Sequence, residues 1–96
     1  MINERIKHMF TVCSDVFDGK EISPLKGTSL STQGYLGGYR IYKEGSVVGY
    51  IQWYATGSYG IGVFGVYDIN FNKIGATRSD TLSCELVRNE LEQFFA

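Results

Sequence analysis

Apolar side chains fall at Ile2, Ile6, Met9, Phe10, Cys13, Val16 and Phe17, mostly three or four residues apart, which describes one face of a helix. Asn3 is placed to cap that helix and Asp18-Gly19 to end it. The chain then changes character. Residues 19–38 are punctuated by Gly19, Pro24, Gly27, Gly34, Gly37 and Gly38, with Ser and Thr between them. This predicts a long Gly/Ser/Thr-rich connection with room for a short edge strand at Thr28–Leu30.

From Tyr39 onward the apolar period shortens to two. Tyr39–Lys43, Val47–Thr56, Tyr59–Ile69 and Ile74–Thr77 each predict a strand. The turns fall at Glu44-Gly45-Ser46, Gly57-Ser58 and Asn70-Phe71-Asn72-Lys73, where Asn, Gly and Ser tolerate the left-handed backbone of tight hairpins. Consecutive strands with short turns pair antiparallel. Ser79 or Asp80 then caps a last helix reaching about Phe95, with Leu82, Leu86, Val87, Leu91, Phe94 and Phe95 as its apolar face.

The order α-β-β-β-β-α gives an α+β fold with one antiparallel sheet of three to four strands. Both helices are expected on one face of it, because the sheet is the only large surface that can bury them. Residues 1–96 make a single domain, since so short a chain builds one core.

Within the sheet region the residue types sharpen the picture. Gly45 to Tyr67 holds no Asp, Glu, Lys or Arg, and all seven tyrosines lie between Tyr35 and Tyr67. Alternation along Val47–Thr56 sorts Val47, Gly49, Ile51, Trp53 and Ala55 to one face and Val48, Tyr50, Gln52, Tyr54 and Thr56 to the other. The aliphatic set should lie under the helices, with Trp53 in the core. If Ile41 packs inward beside Ile51, then Arg40, Tyr42, Tyr50, Gln52 and Tyr54 share the outer face. Tyr and Arg are enriched where binding energy concentrates, so these five are the candidate partner-binding residues.

Nine basic and ten acidic residues leave a formal charge of −1, which argues against the clustered Lys and Arg of a broad phosphate-binding surface. The N-terminus is charged too early for a signal peptide, and no run of eighteen apolar residues exists, so a cytoplasmic protein without membrane contact is expected. Cys13 and Cys84 are far apart and lack C-x-x-C spacing, which suits free thiols in a reducing compartment.

Motifs for chemistry fall short one by one. Gly60-Ile61-Gly62-Val63-Phe64-Gly65 has the G-x-G-x-x-G spacing, but Val66-Tyr67-Asp68-Ile69 continues a strand, so no helix N-terminus meets a pyrophosphate. Ser58 to Phe64 echoes the aromatic strand of single-strand RNA binders without its leading basic residue, and Tyr59 and Phe64 differ in parity. Double-stranded RNA-binding domains share the element order, yet Ser79-Asp80-Thr81-Leu82-Ser83 stands where their lysine cluster would be. His8 is the lone histidine, with neither a nucleophile–base pair nor three metal ligands around it in sequence. No catalytic residue, metal or cofactor is assigned.

The expectation is a small non-catalytic binding protein, an accessory inhibitor or adaptor. It would dock a protein partner through the tyrosine face and the 19–38 segment, as a phage- or plasmid-encoded anti-defence inhibitor of the anti-CRISPR kind would. The alternative is a single-stranded nucleic-acid or small-ligand binder stacking on Tyr42, Tyr50 and Tyr54. A homodimer closed through the tyrosine faces is a third arrangement.

Overall fold

The computed structural model describes residues 2–56 and 61–96. Helix α1 (Glu4–Val12) is capped by Asn3, whose side-chain oxygen accepts from the Ile6 N–H at 3.1 Å. The helix breaks at Cys13 and resumes as α2 (Ser14–Asp18). Thr11 and Val12, both β-branched, sit at that break, where helix propensity is weakest.

Six strands follow: β1 (Ser23–Pro24), β2 (Leu30–Tyr35), β3 (Gly38–Lys43), β4 (Ser46–Thr56), β5 (Ile61–Asp68) and β6 (Lys73–Ala76). Each pairs antiparallel with its sequence neighbour, giving one sheet in the order β1-β2-β3-β4-β5-β6. Helix α3 (Glu85–Phe94) ends the chain, starting later than Ser79 or Asp80, with Cys84 in extended backbone as its N-cap. The fold is therefore α+β with an antiparallel sheet and helices at both ends.

The sheet has six strands where three to four were expected. Both additional strands, β1 and β2, lie in residues 19–38, which read as a connection because Ser, Thr, Gln and Gly fill them. Strand β1 is exposed, but on β2 the polar Thr32 and Gln33 are buried instead of solvated. Gln33 is 3% exposed, donating to the Lys20 carbonyl at 2.9 Å and accepting from the Tyr42 hydroxyl at 2.8 Å. The hairpin from β2 to β3 turns through Leu36 (φ 50°) and Gly37 (φ 75°), the left-handed pair that suits the twist of the strands. The turn expected near Gly57-Ser58, and the start of the third expected strand at Tyr59, lie outside the described residues.

A second correction concerns the layers. Gly49 and Tyr50 are adjacent on β4 and point to opposite faces. A Cβ on Gly49 would strike the Phe95 ring at the end of α3, whereas Tyr50 packs on Phe10 of α1 with ring centroids 4.5 Å apart. The helices thus cover opposite faces, and the sheet lies between them. Both faces carry enough apolar area to be worth covering, because tyrosine rings bury well beside phenylalanine.

Under α3 the core is mostly aliphatic: Leu25, Leu30, Ile41, Ile51, Val66, Val87 and Leu91 are buried together with Phe64 and Phe95. Burial of this kind supplies most of the stability of a small domain. Under α1 and α2 the core is aromatic, with Ile6, Phe10, Phe17 and Tyr67 buried against Tyr35, Tyr50 and Phe71. Among the described residues, no helix is long and apolar enough to cross a membrane.

Candidate functional site

Arg40, Tyr42, Tyr50, Gln52 and Tyr54 do share the sheet face opposite α3, but they do not form one open patch. Arg40 stands across from Tyr50 in the β3–β4 ladder. Its guanidinium is 11% exposed and reaches under α2, donating to the Asp18 carboxylate, to the Ser14 carbonyl at 3.3 Å and Oγ at 3.1 Å, and to Gln33 Oε1 at 3.1 Å. Burial opposes its charge, yet Asp18 and Tyr42 outweigh that and hold its pKa above the ordinary value. Tyr42 gives its hydroxyl to the same Gln33 oxygen. These groups form a closed polar network that fastens α2 to β2 and β3.

Tyr50 packs in a cluster of three rings. Phe10 lies 4.5 Å from it and Phe71 stacks on it at 4.6 Å and 18° between planes, with Phe10 and Phe71 6.5 Å from each other. Phe71 reaches this position from the β5–β6 turn, where its φ of 67° is left-handed. Burial raises the pKa of the Tyr50 hydroxyl, a change that Arg40 nearby partly opposes. Tyr50 is a packing residue here.

Gln52 and Tyr54 lie further along β4, beyond the reach of α2, and there the layer opens. A groove of about 640 Å³ runs between α1 and the sheet. Its helix wall carries Arg5, His8, Met9 and Val12, spaced as one stripe of α1. Its floor is Gln52 and Tyr54 of β4 with Tyr67 of β5, and Lys73 of β6 closes the far side. Two glycines hollow it. A Cβ on Gly38 would strike the Met9 methyl and Gln52 Oε1, and one on Gly65 would lie 3.1 Å from the Tyr54 ring and 3.0 Å from the Tyr67 hydroxyl.

The polar groups around this floor are incompletely used. Gln52 donates to the Trp53 carbonyl at 3.3 Å, which leaves its Oε1 buried without a donor among the described residues. Lys73 Nζ donates to the Tyr54 hydroxyl at 3.2 Å and sits 4.8 Å from that ring's centroid. Burial raises the pKa of the Tyr67 hydroxyl, against a smaller downward pull from Lys73 and Arg5. The groove can therefore hold a molecule with an apolar body; His8 and the free thiol of Cys13 also line it, and no hydrogen bond joins these two among the described residues.

Trp53, expected in the core, is 42% exposed. It lies on the α3 side of β4, but past the end of the helix, and its indole N–H donates to Asp80 at 2.8 Å. Leu36, 74% exposed, is close by, since the Trp53 N–H donates to the carbonyl of Gly37 at 2.9 Å.

The sequence reading missed Arg5, His8, Met9, Tyr67 and Lys73 as groove residues. Their only trace in the sequence is the helical stripe of Arg5, His8, Met9 and Val12, which is legible only once α1 is known to cross the tyrosine face. Cys13 and Cys84 are free thiols, and no group of three metal-binding side chains occurs among the described residues. No known protein family, curated protein or solved structure matches this chain.

Proposed function

We propose that this chain is a non-catalytic binding protein whose ligand is a drug-sized molecule held between α1 and the open end of the tyrosine face. The observation that carries the reading is the groove itself: concave, of about 640 Å³, lined by Ile6, Met9, Val12, Tyr54 and Tyr67 with a few polar groups at its edges. Sites for small organic molecules have this size and this balance of apolar wall to polar anchor. The floor is firm, because Tyr54 and Tyr67 lie in paired strands, so little ordering is required on binding.

A protein partner is the second reading, and the rim of the groove at Trp53, which also lines it, favours that reading. Trp53 is exposed and oriented by Asp80, with Leu36 protruding next to it. Exposed Trp next to an exposed aliphatic side chain is the kind of anchor that inhibitors and adaptors use. That corner is what supports the inhibitor or adaptor role.

An NMR fragment screen separates the two. Bound fragments should shift the Met9 methyl resonance and the amides of Gln52 and Tyr54. Fragments that gather elsewhere, or a library with no hits, would remove the groove as the site. For the second reading, Trp53→Ala with Leu36→Ala should lose a partner that the parent retains from lysate, and retention by the double variant would exclude that corner.

A further inference from the structure

Resting on the groove reading above, we infer that the ligand is a small organic acid: an aromatic or alkyl body carrying one carboxylate, sulfonate or phosphate group. The argument is charge complementarity. Arg5, His8 and Lys73 line the groove, and no Asp or Glu does. The chain as a whole carries ten acids to nine bases, so an acid-free rim with two permanent cations is a local departure from its average. Asp18 and Glu90 are taken up by Arg40 and Arg78, and among the described residues neither Arg5 nor Lys73 is paired with a carboxylate.

Position matters as much as number. Arg5, in the first turn of α1, and Lys73, at the start of β6, both line the groove and both lie close enough to the Tyr67 hydroxyl to act on its charge. Lys73 already leans over the Tyr54 ring and donates to its hydroxyl, leaving further N–H donors for an anion. Further along α1 the wall is Met9, Val12 and Cys13, which suits an apolar body. A ligand with its charge between Arg5 and Lys73 and its body along Met9 and Val12 would use both halves. A cation would meet like charge, and a neutral molecule would leave both bases unused.

Two dyes with one ring skeleton make the test: 8-anilinonaphthalene-1-sulfonate and its uncharged parent N-phenyl-1-naphthylamine. With the folded protein, the sulfonate should bind tighter than the neutral dye by roughly tenfold at low salt, with the Met9 methyl shifted by both. Added salt, and the variants Arg5→Gln and Lys73→Gln, should weaken the sulfonate more than the neutral dye, so that the ratio of the two affinities falls toward one. Equal binding of the two dyes, or an advantage that survives both substitutions, overturns the acid while leaving the groove reading intact. If neither dye moves the Met9 methyl, both fall. Retained amide spectra in the variants establish that folding has not changed.

Discussion

On the α3 side of the sheet, Ile41, Ile51, Val66, Val87 and Leu91 meet with essentially no exposed area. On the α1–α2 side, the same strands present Arg40, Tyr42, Tyr50, Gln52, Tyr54 and Tyr67, and the helices cover them only in part. One side is mostly aliphatic and is sealed beneath α3. The other is aromatic and hydrogen-bonded, and it ends in a groove. Aliphatic side chains interlock from any direction, but rings and amides need partners at set angles, so the second layer closes only where Phe10, Phe17 and Phe71 supply them. Where those rings run out, past Tyr50, space remains.

The sharpest way to break this contrast is to truncate the sealed side. Leu91→Ala should cost roughly 3 to 5 kcal/mol, read from the urea midpoint, because its neighbours cannot collapse into the void. A cost under about 1 kcal/mol would mean that the α3 layer is not close-packed. Next comes Tyr50→Ala, expected at roughly 2 to 3 kcal/mol, since its ring is gripped by Phe10 and Phe71. Trp53→Ala should cost only about 1 kcal/mol, mostly the contact with Asp80. The sequence alone ranks these two the other way round, so measuring both by thermal unfolding decides between the layer assignments.

The smallest effect is a difference in response to alkali. The Tyr50 and Tyr67 hydroxyls have pKa values raised by burial, while the unfolded chain ionises its tyrosines near about pH 10. The folded state therefore holds those protons more tightly. Their contribution is complete below that pH and lost as pH rises toward the folded values. Ultraviolet titration should show late-ionising tyrosines in the parent, and Tyr50→Phe should remove one of them. If all tyrosines ionise together at the ordinary value, the aromatic layer is wet.

Much of the fold can be read from residue order. The β3–β4 turn at Glu44-Gly45, the sorting of Ile51 and Tyr50 to opposite faces, and the helical periods at both ends follow from local chemistry. What escapes is what depends on distant partners. Strand β2 reads as loop because Gln33 becomes an interior residue only when Arg40, Tyr42 and the Lys20 carbonyl meet it. The outward patch fails to stay open for the same reason: Arg40 looks like a surface cation until Asp18 and Ser14 are brought over it by α2. Gln52 and Tyr54 fall on the proposed site, but the groove they line needs α1, some forty residues upstream, to exist at all.

The meander has a consequence for the order of assembly. Every strand neighbours the next in sequence, so the sheet closes through short loops and can zip quickly. The first helix arrives from far away, tethered by the Ile2–Asn72 bridge and by the Asn3 N–H on the Phe71 carbonyl at 2.9 Å. With a hollow beneath it, that helix forfeits contacts the last helix keeps, so its amides should exchange with deuterium soonest among the regular elements. A ligand in the hollow would slow that exchange, acting as a latch on the least secure part of the chain.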